Sequence, residues 1–341
     1  MSLTPKTVPT GAIRYNTDSN KMECFNGTKW MQVAVSNREL SGGARLVMGA
    51  GHDNSGATNV VQYLNIASQG NAIDFGDVNQ QRKFPAGFSD GVRGIVAGGK
   101  NDPIGDTSDY LTLASTGNGV AWSTGYDWYW GGGSHSSSTR GIQMGAKDNS
   151  NAAVNTISYC TIATTGNAND FGDLTTLAGY TTGTGSPTRA FRFGGSVPSP
   201  AATYNTIDYV TIATLGNAQD FGDLTAAMYR NGALSGTTRA LLAGGESPAS
   251  DGLKIIDYIE MSTLGNAIDF GDRVTGGQHP SGGSNCVRGV WAGLQNDGSP
   301  WAQLNVIEYN TIATQGDAVD FGDLATANMS MAMLSTNHGG L

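Results

Sequence analysis

Cysteine, charge and long apolar runs are all in short supply in this chain. Cys24, Cys160 and Cys286 are the 3 cysteines among 341 residues, an odd number without a Cys-x-x-Cys pair, so neither a disulfide framework nor a zinc site is expected. Charged residues make up 14%, against roughly a quarter in an ordinary domain. The net charge of -9 leaves no broad basic surface, which excludes a general nucleic-acid partner. No apolar run reaches the ~18 residues of a spanning helix, so membrane insertion is not expected. Met1-Ser-Leu-Thr-Pro-Lys6 has no signal-peptide core, and assembly in the cytoplasm is the expectation. His52, His135, His279 and His338 lie in glycine-rich turns without metal-ligand spacing, so no metal and no cofactor are expected. A Gly-x-Ser-x-Gly elbow, a phosphate loop and a recognisable pair of catalytic acids are also missing, and the chain reads as a non-enzyme.

Glycine is the exception, at 50 of 341 residues against a usual ~7%. The glycines fall at fixed offsets within a repeat, so they mark turns and not disorder. The unit is Ile207-Asp-Tyr-Val-Thr-Ile-Ala-Thr-Leu-Gly-Asn-Ala-Gln-Asp-Phe-Gly-Asp-Leu224, and copies of it surround Tyr63, Tyr110, Tyr159, Tyr209, Tyr258 and Tyr309, spaced 47, 49, 50, 49 and 51 residues apart. Seven residues after each tyrosine stands a glycine, and twelve after it an aromatic: Phe75, Trp122, Phe171, Phe221, Phe270 and Phe321. Thirty after it comes Arg93, Arg140, Arg189, Arg239 or Arg288; the sixth copy meets Gly339 there, and Arg45 supplies the missing arginine from the other end.

Short apolar runs ending in glycine follow the arginines, as in Ala240-Leu-Leu-Ala-Gly-Gly245. Such runs are too short for helices and fit buried strands. With the tyrosine segment, the Phe-Gly-Asp segment and the stretch before the arginine, each repeat supplies four short strands, which is the content of one propeller blade. The predicted fold is all-β: a six-bladed β-propeller over residues 41-341, with a small N-terminal β-hairpin module over 1-40. A lone blade leaves its faces uncovered, so closure into a ring is favoured. Asn328-Met-Ser-Met-Ala-Met-Leu334 is expected beside the strand at Arg45, joining both chain ends in one blade. In the module, Gly11-Ala-Ile-Arg-Tyr-Asn-Thr-Asp-Ser-Asn20 and the run to Trp30 alternate apolar with polar positions and turn at Asp18-Ser19-Asn20 and Asn26-Gly27. A segment of this size has no core of its own and needs a partner chain, a second copy or the ring.

Five Asp-Phe-Gly triplets, at Asp74, Asp170, Asp220, Asp269 and Asp320, lack every other kinase element and read as structural turns. These aspartates are expected to pair with Arg93, Arg140, Arg189, Arg239 and Arg288 between blades. Calcium on paired aspartates and an arginine-lined channel for an anionic ligand are the alternatives weighed against that pairing. The second repeat departs from the pattern, with Ala121-Trp-Ser-Thr124 followed by Tyr126, Trp128 and Trp130, which on a strand would face one way. Those three aromatics are the candidate ligand-binding residues, because aromatic faces stack on sugars; a larger wedge between blades is the simpler account. All length variation between repeats falls in one connection per repeat, such as Ser196 to Asn205 and Glu246 to Lys254, which marks one rim as the expected recognition surface.

The run Gly11-Ala-Ile-Arg-Tyr-Asn-Thr-Asp-Ser-Asn-Lys21, leading to Asn26-Gly-Thr-Lys-Trp30, resembles segments of bacteriophage tail-fibre and other virion-appendage proteins. The pairs Gly98-Gly99, Gly194-Gly195 and Gly244-Gly245, followed by Tyr110, Tyr209 and Tyr258, resemble the kelch family of β-propellers, although Gly145-Ala146 and Gly293-Leu294 stand in that place in other repeats. The resemblances imply a virion structural protein, a tail fibre or other appendage presenting its propeller to the host. Residues 1-40 would contact other virion proteins or further copies of the chain, and a host-surface glycan or protein would be the partner of the ring. A head fibre, and a propeller enzyme acting on host glycans, are the alternatives.

Overall fold

The computed structural model describes residues 8–17, 21–32, 45–100, 107–123, 128–198, 200–298 and 300–341. The chain divides into two units, Met1–Leu40 and Ser41–Leu341, and every regular element among the described residues is a strand. In the first unit, Ile13–Asn16, Lys21–Phe25 and Trp30–Gln32 form a three-stranded antiparallel sheet. Its second turn is an Asx turn, in which Asn26 Oδ1 accepts the Thr28 and Lys29 amides and Gly27 takes φ 96°. On one face Arg14 lies 4.2 Å over the Trp30 ring and pairs with Glu23 at 2.8 Å, beside buried Phe25. The first expected turn, Asp18 to Asn20, lies outside the described residues.

Among the described residues, the second unit contains six four-stranded antiparallel sheets, one per repeat, in an all-β, propeller-like arrangement. Sheet four shows the plan: an inner strand Thr182–Gly185, an arginine strand Arg189–Phe193, a tyrosine strand Thr206–Thr211 and an outer strand Gln219–Asp223. The other inner strands are Ala86–Ser89, Gly133–Ser136, Gly232–Ser235, Ser281–Ser284 and Ala332–Ser335. Sheet one is built from both ends of the unit, because Ala332–Ser335 pairs antiparallel with Arg45–Asp53. Neighbouring inner strands pack on one another in sequence order, and Ala332–Ser335 packs on Ala86–Ser89.

Apolar clusters fill the spaces between consecutive sheets. Phe221 and Leu224 of sheet four meet Leu242, Ile259 and Met261 of sheet five, while Leu46 and Met48 of sheet one meet Val290 and Phe321 of sheet six. The Asp-Phe-Gly glycines explain the outer contact. Gly222 sits at φ 151°, and a Cβ there would fall 2.4 Å from the Gly265 carbonyl of the next sheet. The close approach lets Gly265 N donate to Phe221 O at 3.1 Å, and the same clasp joins Gly70 N to Phe321 O at 3.0 Å.

The expected arginine–aspartate pairs are absent. Asp74, Asp170, Asp220, Asp269 and Asp320 are exposed on the outer strands, and Arg93, Arg140, Arg189, Arg239 and Arg288 each stand over the tyrosine of their own sheet, 4.5 to 4.9 Å from the ring. The pairing register gives the reason. Arg189 lies opposite Thr211, two residues along from Tyr209 on the same face, so ring and guanidinium are diagonal neighbours. Each guanidinium also donates into another repeat, as Arg189 does to Met261 O at 3.1 Å and Arg288 to Ile66 O at 2.9 Å. The buried ion pairs use other residues: Arg82 with Asp109 at 2.6 Å, Arg192 with Asp208, and Arg273 with Glu308 at 3.1 Å. The acids stand just before the repeat tyrosines and also bind across sheets; Thr175, after the outer strand of sheet three, donates to Asp208 of sheet four at 2.7 Å.

Candidate functional site

A belt and a collar of residues stand at the two ends of the centre where the inner strands meet. The belt, five serines and one glycine, lies 26 residues after each repeat tyrosine: Ser89, Ser136, Gly185, Ser235, Ser284 and Ser335. Each hydroxyl donates to the carbonyl of its neighbour on the adjacent inner strand, Ser136 to Ser89, Ser89 to Ser335, Ser335 to Ser284, Ser284 to Ser235 and Ser235 to Gly185, at 2.6 to 3.0 Å. The belt therefore satisfies its own polar groups and exposes few of them.

Above the belt lies a cavity of about 150 Å³ lined by all six sheets. At its belt end stand His135 and His338, ring centroids 6.1 Å apart, with His338 Nε2 3.0 Å from Ser89 O. Burial first, then the neighbouring His338, pushes His135 down to about 3. His135 is held there as the neutral imidazole.

The other end is a collar. Its residues are Phe84, Gly131, Tyr180, Arg230, His279 and Ser330, each 21 positions after a repeat tyrosine. All six occupy the left-handed region, at φ 51° to 64°. Five of them carry side chains, and each such residue costs on the order of 1–2 kcal/mol against an ordinary conformation. The conformation is held by backbone bonds between sheets: Gly131 N to Phe84 O, Arg230 N to Tyr180 O, His279 N to Arg230 O and Ser330 N to His279 O. It turns side chains toward the centre, where the rings of Phe84, Tyr180 and His279 converge at centroid distances of 4.9 to 5.9 Å.

Around the collar, cations and aromatic rings alternate. Lys100 lies 4.6 Å from the Trp130 ring, Lys147 lies 5.4 Å from Trp130 and 4.3 Å from Tyr180, and Arg230 lies 4.6 Å from Tyr180 and 5.2 Å from Tyr229. Lys147 is 5% exposed and has no ion pair among the described residues; burial first, then Arg230 and Lys100, lower its pKa. His279 is driven well below its ordinary value by burial, then by Arg230 and His52. Arg230 donates to Glu246 at 2.5 Å and to Gln278 at 2.8 Å, while burial, followed by Glu246, raises Tyr229 to about 12. Buried polar atoms without a partner among the described residues gather here: Asn231 Nδ2 and Oδ1, Ser330 Oγ, Gln278 Nε2 and Arg230 Nε. Asn231 is 7% exposed and lines the cavity.

The variable connections begin at this same face. One isolated bridge per repeat ties the collar's neighbour to the start of a connection: Lys83 to Lys100, Trp130 to Lys147, Gly179 to Ser196, Tyr229 to Glu246, Gln278 to Gln295 and Met329 to His52. Of the three candidate ligand-binding aromatics, Tyr126 lies outside the described residues. Trp128 and Trp130 are 5% and 4% exposed and are not a strand face open to sugars. Trp128 packs 4.9 Å from Phe88 in the sheet-two core, and Trp130 is covered by Phe84, Tyr180, Lys100 and Lys147, with Nε1 donating to Asp148 O at 3.2 Å. Two large apolar rings gain more from burial than from exposure. Among the described residues, no group of three or more acids, histidines or cysteines is placed to hold a metal ion.

The collar went unread in the sequence, although a signal was there. Phe, Gly, Tyr, Arg, His and Ser share one offset in a repeat whose arginine and tyrosine offsets never change.

No family model and no curated protein sequence matches the chain. Among solved structures, one titled "Structure of YjhT" is similar over 75% of this chain and 88% of that one, with a TM-score of 0.63 and 10% sequence identity. At that identity the likeness bears on fold alone. It supports a propeller-like all-β architecture, and a fold shared with 260 solved chains does not by itself assign a function.

Proposed function

We propose that the chain is a bacteriophage virion structural protein, a tail fibre or related appendage, whose second unit is a closed six-bladed propeller presented for host-surface recognition through its collar face. The observation that carries the recognition reading is the collar itself. Six different residues share one strained backbone position on a scaffold that is otherwise repeated, and they are ringed by the connections of variable length. A rigid frame with variable side chains at one mouth is the arrangement by which loops on a scaffold acquire specificity. Support for the virion setting comes from the Gly11-to-Trp30 segment, and its exposed Ile13, Tyr15, Met22 and Met31 suit attachment to other virion proteins or further copies. A head fibre is the close variant.

An enzyme acting on host glycans is the second reading. It is favoured by a buried carboxylate, Glu246, which accepts a hydrogen bond from the cavity-lining Arg230. Glycoside hydrolysis ordinarily needs two carboxyl groups, and none of the described residues lining the cavity is an acid. Electron cryo-microscopy of the particle encoding the chain tests the main reading. Discs of this fold on the particle exterior, anchored through residues 1-40, are expected; a particle without them overturns it.

A further inference from the structure

We infer that the collar and the cavity beneath it form a binding site for the anionic group of a sugar, a carboxylate or a phosphate, with the sugar's hydroxyls taken by Asn231 and Ser330. The inference deepens the recognition reading by naming the chemistry of what is recognised.

Three independent observations converge on this site. The first is charge without partners. In a chain of net charge -9, Lys100, Lys147 and Arg230 are gathered along one arc of the collar, and among the described residues the ion pairs give a carboxylate to Arg230 alone. Lys147 is nearly inaccessible, and an ammonium that among the described residues meets aromatic rings and the Asn151 amide oxygen at 3.5 Å is poorly compensated. Of the three, Arg230 lines the cavity, and an anion bound at the collar beside it supplies the missing charge.

The second is the set of unpartnered polar atoms. Asn231, Ser330 and Arg230 line the cavity, and among the described residues Asn231 Nδ2 and Oδ1, Ser330 Oγ and Arg230 Nε are buried without a partner. Donors and acceptors within one small volume match a polyhydroxylated ligand better than a bare ion, since each sugar hydroxyl both gives and accepts. The serine belt below, by contrast, is already satisfied and has little to offer.

The third is the stored strain. Phe84, Tyr180 and His279 are held left-handed with their rings at the centre, so the cavity wall on this side is apolar and aromatic where a sugar ring would lie.

The test uses the purified full chain and isothermal titration calorimetry at low ionic strength with three ligands on one ring: glucuronate, glucose 1-phosphate and glucose. Binding of either anionic sugar at least about tenfold tighter than glucose is expected, and the stronger of the two identifies the source of the charge. Lys147→Met keeps the stem but removes the charge. It should weaken the anionic ligand by about tenfold or more while raising the melting temperature of the free protein, a combination that loss of folding does not produce. Asn231→Asp places a carboxylate in the cavity and should abolish binding. Glucose binding as tightly as both anions, no binding by any of the three, or unchanged affinity in Lys147→Met overturns the inference. A chain that binds the anionic sugar but is absent from the particle sinks the appendage reading and leaves this one standing.

Discussion

At the scale of single residues, one geometric rule separates the repeated positions from the distinctive ones. Each repeat arginine stands over its tyrosine because the register of two adjacent strands places them diagonally, and this needs no partner from elsewhere. The aspartates fall on an outer strand where water already solvates them. The buried histidines carry a measurable consequence. His135 has a folded pKa of about 3 against an ordinary 6.5, so the unfolded chain takes up the proton first as pH falls. The stability it contributes is complete above pH 6.5 and declines between 6.5 and about 3, by at most about 1.4 kcal/mol per pH unit. His279, also lowered, acts in the same direction. Urea midpoints measured from pH 7 to pH 4 should fall, and His135→Gln should flatten the decline. A wild-type midpoint that holds steady across that window contradicts the neutral burial of these rings.

At the scale of elements, sheet two is the odd member. Elsewhere the glycine seven residues after the tyrosine clasps the outer strand of the preceding sheet, as Gly216 N does to Phe171 O at 2.9 Å. Gly166 makes no such bond to Trp122 among the described residues. The outer strand Val120–Ser123 is instead fixed by packing, with Trp122 buried against Cys160 and Ile162. Apolar contact without the clasp leaves the strand's edge less protected against local opening. Hydrogen exchange should find the Val120–Ser123 amides exchanging at least about tenfold faster than those of Gln219–Asp223. Equal protection of the two strands would mean that packing alone holds the edge as well as the clasp does.

At the scale of the whole molecule, the inner strand of sheet one is supplied by the last residues of the chain. Ala332 and Leu334 are buried between Arg45–Asp53 and the sheet-two strands, and Ser335 belongs to the belt. A chain ending at Ser330 loses these side chains at about 2–5 kcal/mol for each large one. Its melting temperature should fall by more than about 10 °C, or the chain should not fold. A truncated chain melting within a few degrees of wild type would show that the second unit holds without this strand. Much of the architecture was legible beforehand, because strands of four to six apolar residues and turns at fixed glycines are local properties, and a period of about 49 residues repeats them. The pairing of Asn328–Leu334 with Arg45 was legible for the same reason: one repeat lacks an arginine that the other end supplies. The site was not. Which residue turns left-handed depends on carbonyls offered by the neighbouring sheet, as Tyr180 O does for Arg230, and whether Trp130 is open or covered depends on Phe84 and Lys147, which are distant in sequence. Sequence alone determined the unit, its number and its strands, since these follow from local patterning. The tertiary structure decided which six residues meet at the collar, because that follows only from packing one repeat against the next.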